Sequence, residues 1–171
     1  VLDSSSSLQQ DLSLIDNYSW LPVDYSGSYV TENYVNWQQV IEEEGSKVDY
    51  IIVANYRKLP KTENDPTFAS PQEVMAWTDK NAKVPVIGIN SFNVEDGATI
   101  SVGVSPFEQG TVAATMAEAI LEQKIKANSI PMVESKQYII AIRESSLKMK
   151  HMQLPSVYEA FGRATDNYIE E

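Results

Sequence analysis

The 171-residue sequence contains no cysteine. That excludes disulfides, zinc–thiolate sites, iron–sulfur clusters and cysteine nucleophiles together. The lack fits an oxidising compartment, where a free thiol is a liability, and it fits cytoplasm equally. Histidine occurs once, as His151 in KMKHMQLP. A mononuclear zinc site built mainly from histidine is excluded by that count, and any Ser–His–acid triad would have to use this one residue. Its neighbours Lys148, Lys150 and Met152 read as the end of a surface helix, which gives His151 a solvated or capping role. Glycine is scarce and unclustered, with seven residues. No glycine-rich phosphate loop of the GxxxxGK or GxGxxG type follows a strand. Basic residues are few: 13 Lys and Arg face 24 Asp and Glu, for a net charge of −11. This argues against binding a nucleic-acid backbone, which needs clustered cations. No apolar run approaches the roughly 20 residues of a membrane helix. No charged-then-apolar leader opens the sequence, so the expectation is that an exported form has already shed one.

What is present fits one soluble globular domain with a real core, at 43% hydrophobic and 22% charged residues. Short apolar runs alternate with amphipathic segments. VLD reads as the end of a strand, and LQQDLSLIDN as a helix opened by Ser6 with Gln9 or Ser7 with Gln10. A strand is expected in GSYVTE. In NYVNWQQVIEEEGSK, Tyr34, Trp37 and Ile41 recur at helical spacing, Glu42 to Glu44 form a solvated face, and Gly45 ends the helix. VDYIIVAN, residues 48–55, is the clearest strand, and its near-continuous apolar run suits a strand covered on both faces. YRKLPKTENDPTF reads as a long polar loop. SPQE at Ser70–Glu73 and SPFE at Ser105–Glu108 carry the same helix-start chemistry of cap, proline and third-position glutamate. VPVIGIN, ATISVGV and KQYIIAI read as further strands, and ESSLKMKHMQ and PSVYEAFGRATDNYIEE as short helices. The rhythm predicts an α/β domain: three layers, a mainly parallel sheet with helices on both faces.

In such sheets ligands lie beyond the carboxyl ends of the strands. Three polar clusters fall there: Asp3 to Ser6, Asn55 to Arg57, and Asn90 to Asp96. A phosphoacceptor receiver domain shares the rhythm, but here the central strand ends in Asn55 and the next in Asn90, where that fold needs an aspartate. Glu95 and Asp96 before Gly97 read as ordinary turn chemistry.

The stretch VPVIGINSFNVEDGATISVGVSPFEQGTVAATMAEAIL, within residues 84–124, resembles the ABC-transporter substrate-binding family of type I periplasmic binding proteins, the group that includes tryptophan- and tyrosine-type binders. The family runs from an "iPv" strand through a short polar loop to "Ga", then through a strand to a glycine opening an alanine-rich helix that ends in "IL". YIIAIRESSLKMKHMQLP is similar to its later strand and helix ending near a proline. The motifs are loose, though the likeness spans most of the chain.

The resemblance implies a two-lobe receptor without enzymatic activity or cofactor. Such modules sit on the extracytoplasmic face and feed a permease, or serve as sensors joined to kinases or cyclases. At this length the whole chain, 1–171, is expected to be one lobe, the carboxy-terminal one, with 106–124 as a crossover helix and the amino-terminal lobe missing. The ligand, a small solute such as an amino acid or another polar or aromatic molecule, is expected against Asp3, Ser4, Ser5, Asn55, Tyr56, Arg57, Asn90, Ser91 and Phe92. Arg57 can hold a carboxylate, Asn90 can donate and accept, and Tyr56 and Phe92 can stack on a flat ligand. Read as structure alone, Tyr56 and Phe92 cover the sheet edge, Arg57 is a solvated loop cation, and the asparagines close turns. The apolar stripe Val112, Met116, Ala119 and Ile120 of the crossover helix is expected to pack on another chain, as a homodimer. Two further classes stay in play: an α/β hydrolase or transferase with an unrecognised active site, and a protein-interaction module with an acidic face.

Overall fold

The computed structural model describes residues 1–171. β1 (Leu2–Asp3) leads through a 3₁₀ turn to α1 (Leu12–Asp16) and a long irregular return to β2 (Val30–Thr31). Ser6 is the cap used, its hydroxyl accepting from Leu8 N. α2 (Tyr34–Glu44) starts at Asn33, whose side chain accepts from Asn36 N, and ends at Gly45. Then follow β3 (Ile51–Val53), β4 (Pro60–Thr62), β5 (Asp65–Phe68), α3 (Pro71–Asn81), β6 (Val86–Gly88), α4 (Phe92–Glu95) and β7 (Ile100–Val104). α5 (Pro106–Leu121), β8 (Tyr138–Arg143), α6 (Glu144–Met149), α7 (Ser156–Ala164) and β9 (Tyr168–Ile169) complete the chain. Ser70 and Ser105 cap α3 and α5, each hydroxyl accepting the amide of the glutamate three residues on.

Five strands form one sheet in the order β3-β6-β7-β8-β9. β3, β6 and β7 run parallel, with Val53 opposite Gly88 and Ile87 opposite Ile100. β8 is antiparallel to β7, and β9 parallel to β8. The parallel pair β1–β2 extends this sheet past β3, because Ala54 N donates to Val1 O at 3.0 Å and Asp3 N to Asn55 O at 2.8 Å. The fold is α/β with a mainly parallel sheet, as the rhythm of the sequence implied.

Besides α4, which stands where a polar loop was expected, two segments depart from the sequence reading. YRKLPKTENDPTF is not a plain loop but carries the β4–β5 hairpin. Thr62 Oγ1 accepts from Asn64 N and Asp65 N at 3.2 and 3.0 Å, closing a turn hidden among charged residues. The tail also leaves the helix early: Asp166 takes a φ of 55°, and Tyr168 and Ile169 then add an edge strand.

Alternation along the strands sorts side chains between two faces. One face carries Ile51, Val53 and Val86 and packs with Trp37, Ile41, Val74 and Met75 of α2 and α3 in the main core. The other carries Ile52, Val102 and Val104, which stay 37%, 45% and 41% exposed. α7 lies over its β8–β9 end, where Gly162 meets Ile142 and Tyr168. No residue of α5 is buried within the chain, so its stripe of Val112, Met116, Ala119 and Ile120 remains open to a partner. At the end of the sheet where β6 and β7 begin, α6 is tied to α3. Lys150 Nζ donates to the carbonyls of Asp79 and Ala82 at 2.6 and 3.2 Å, while the Asp79 carboxylate accepts from Thr99 Oγ1 at 2.7 Å and Ser146 Oγ at 2.8 Å. No helix is long and apolar enough to cross a membrane.

Candidate functional site

Parallel pairing of β3 with β6 sets their carboxyl ends side by side, and β1 joins them through the Asp3–Asn55 backbone bond. The three polar clusters therefore share one rim. Ser4 and Ser5 leave β1, Asn55 and Arg57 leave β3, and Asn90, Ser91 and Phe92 leave β6; all are half-buried or exposed. One contact joins the second and third clusters, and another fixes the third from within. The Arg57 guanidinium lies over the Phe92 ring, 4.1 Å from its centroid. Asn93, fully buried beneath the loop, accepts from Asn90 N at 2.7 Å through its side-chain oxygen.

Two glycines let the β6 loop sit this low. A Cβ on Gly88 would collide with Asn93, and one on Gly103 would lie 3.2 Å from Asn90 Cα and 3.3 Å from Ser91 N. Both are close-approach glycines, with no need of a left-handed backbone. Gly97 differs, with a φ of 126° at the turn that ends α4.

Two expected ligand residues are placed otherwise. Tyr56 is not a stacking surface for a ligand. It is fully buried, packs against Trp37 and Phe92, and donates its hydroxyl to Asp96 Oδ2 at 2.7 Å. Burial first, and then the Asp96 carboxylate, hold its phenol well above the ordinary value. Asp3 is also buried, and its Oδ1 is taken by Ser5 N and Ser5 Oγ at 3.0 and 2.6 Å, so it shapes the β1 loop from within.

Asp96 is the residue the sequence reading missed. Taken as part of a turn, it is instead a buried hub: Oδ2 accepts from Tyr56 and from Arg57 Nη2 at 2.8 Å, and Oδ1 from Gln72 Nε2 at 3.0 Å. The signal for it was spacing. Phe92 and Asp96 stand four apart on a helical turn closed by Asp96 N to Phe92 O at 2.9 Å, so they share one side of α4. A cation lying on Phe92 can then reach Asp96. Reading NSFNVEDG as loop concealed that geometry. Arg57 is accordingly no free loop cation, although its side chain keeps 42% exposure against 1% for Asp96.

The rim has donors, acceptors and a cation on an aromatic shelf, but no nucleophile paired with a base. His151 follows α6, whose Lys150 caps the far end of α3. Two shallow hollows occur elsewhere. One of about 280 Å³ is lined by Ile41, Glu42, Gly45, Ser46, Asn81 and Lys83. The other, about 330 Å³, is lined by Leu14, Ile15, Tyr18 and Trp20.

The fold is a mainly parallel α/β sheet with a polar rim at its strand ends. The chain belongs to the ABC transporter substrate binding protein family, whose model matches residues 39–160. Among solved structures it is similar to a ligand-free, open substrate-binding protein with adhesive properties from Clostridium difficile. The identity is 21% and the TM-score 0.66, over 98% of this chain and 52% of that one. It is also similar to an ABC domain in complex with L-Trp from Streptococcus pneumonia, at 17% identity and TM-score 0.59, over 94% of this chain and 52% of that one. A conserved domain protein from Vibrio cholerae matches at 23% identity and TM-score 0.57, over 78% of this chain and 42% of that one. At these identities the likeness is one of fold, and the chain spans about half the length of these structures or less. No curated protein matches it.

Proposed function

We propose that this chain is a solute-binding lobe of a transport receptor, holding a small zwitterionic molecule at the rim of its sheet. The observation that carries this reading is the Arg57 guanidinium laid on Phe92 where three strand ends meet. Ser4, Ser5, Asn55, Arg57, Asn90, Ser91 and Phe92 make the contacts, and Asp3 and Tyr56 support them from below. Arg57 meets a carboxylate, and the hydroxyls and amides orient the rest. A flat apolar group on the ligand suits the Phe92 side, and the pneumococcal structure's L-Trp is the model for that class.

In this reading residues 1–171 form one of two lobes, 106–124 cross to the other, and the assembled receptor works on the extracytoplasmic face beside a permease. The exposed stripe of α5 meets the second lobe, and a second copy of this chain takes that place when the lobe is absent. A role in sensing rests on the same rim. The enzyme reading has no support there, since Ser4, Ser5 and Ser91 lack a histidine neighbour. A thermal-shift screen of amino acids on the chain tests the proposal. A ligand at a hundredfold excess over its Kd adds about 2.7 kcal/mol, or roughly 5–10 °C in a chain of this size. No shift from any amino acid or aromatic acid rejects the ligand class.

A further inference from the structure

We propose that Asp96 sets which ligand charge the rim accepts, by fixing Arg57 against Phe92 and cancelling its charge. This rests on the rim being the solute site. The Asp96 side chain is 1% exposed, and its charged donor is Arg57, with the neutral Tyr56 hydroxyl and Gln72 amide beside it. A buried carboxylate stripped of its cation is strongly unfavourable, so Arg57 cannot swing away to follow a ligand. The guanidinium is held twice, by the hydrogen bond of Nη2 to Asp96 Oδ2 at 2.8 Å and by Phe92 under its face at 4.1 Å. A guanidinium has five N–H groups, and this bond is the one its side chain makes within the chain, so with 42% of that side chain exposed its other donors are left for a ligand.

The consequence is a donor fork without net charge. A zwitterion brings a carboxylate to these donors and needs no further compensation, because its own ammonium balances it. An anion without an ammonium meets donors whose charge Asp96 has already consumed, in a protein that carries −11 overall. Asp96 is thus a positioning residue: it selects through Arg57 and does not touch the ligand.

The test compares L-tryptophan with indolepropionate, which keeps the ring and carboxylate and lacks the ammonium. Affinities are measured by titrating the chain and its variants. Wild type should prefer L-tryptophan. Asp96→Asn uncovers the Arg57 charge and should shift the indolepropionate-to-tryptophan affinity ratio toward the anion by about tenfold, the scale of one partly screened charge nearby. The double variant Arg57→Gln with Asp96→Asn has neither charge, and its ratio should return to the wild-type value. It also leaves no stranded carboxylate, so it reports even where Asp96→Asn does not fold. A ratio unmoved in Asp96→Asn, or a double variant that disfavours the anion about tenfold more than wild type does, overturns the proposal. Asn90→Ala separates this failure from failure of the rim reading. If it weakens L-tryptophan while the Asp96 ratio stays fixed, the rim stands and the role of Asp96 falls. If it leaves L-tryptophan unchanged, or wild type takes up neither probe, the rim reading falls and this proposal with it.

Discussion

Alanine at Gly88 would place its methyl group inside the contact distance of Asn93 Cβ and 2.6 Å from Asn93 Cγ and Oδ1. Asn93 has nowhere to yield. It is fully buried, its Oδ1 holds Asn90 N at 2.7 Å, and its backbone oxygen accepts from Ala98 N at 2.8 Å. Overpacking a core costs about 1–3 kcal/mol, and unseating the Asn90 bond adds about 0.5–1.5 kcal/mol. Gly88→Ala should therefore lose about 2–4 kcal/mol, a fall in Tm of roughly 5–15 °C for a chain of this length. The tightest clash involves Cβ, so adding Asn93→Ala, which removes only Cγ and its amide, should bring partial steric relief, whereas adding Asn93→Gly should bring full relief. A double-mutant cycle between Gly88→Ala and Asn93→Gly, followed by urea denaturation, should show favourable coupling. Gly110→Ala is the control: nothing lies within 4 Å of a Cβ there, and alanine should stabilise α5 by about 0.5–1 kcal/mol. A Gly88→Ala protein that melts with wild type, or a cycle without coupling, would refute the claim that Gly88 seats the rim loop.

Tyr56→Phe takes a donor from buried Asp96 and should cost about 1–2 kcal/mol at neutral pH. The folded phenol is held above its ordinary value of 10.0. Its contribution is therefore whole below pH 10 and is lost as pH rises beyond, where only the unfolded chain ionises; the gap between wild type and Tyr56→Phe should narrow in alkaline denaturation curves. Asp79→Ala leaves Lys150, whose side chain is 9% exposed, without its carboxylate and should cost about 3–5 kcal/mol by chemical denaturation. Lys150→Met in that background should recover part of the loss. Light scattering should find the chain as a species larger than its 19.1 kDa, and Met116→Glu on the α5 stripe should shift it toward monomer. A strict monomer at high concentration would contradict pairing through that face.

The parallel centre of the fold was legible because its strands are apolar runs and its helices carry their own start signals. Ser70 and Ser105 cap where their SPxE patterns predict, and Gly45 ends α2 as read. The hairpin at 60–68 and the β9 strand were not legible. Their pairing depends on a Thr62 turn and on the β8 edge, and neither leaves an apolar pattern of its own. The location of the polar clusters at one rim followed from strand ends alone. Their division of labour did not follow. Tyr56 and Asp3 have polar atoms that suit a ligand, but their burial is fixed by what packs around them, namely Trp37 and Phe92 for Tyr56 and the Ser5 turn for Asp3. Asp96 was read as a turn residue because its partners lie 40 and 39 positions away in the chain.

The most direct test of the account is a titration of the chain with L-tryptophan, followed residue by residue through its amide resonances. Solute binding at the strand ends predicts saturable shifts at residues 3–5, 55–57 and 90–92, which need about tenfold or more higher ligand concentration in Arg57→Ala and Asn90→Ala variants that keep the wild-type fold. Shifts centred instead on the hollow of Ile41, Glu42, Ser46, Asn81 and Lys83, or no saturable shifts at all, would contradict it.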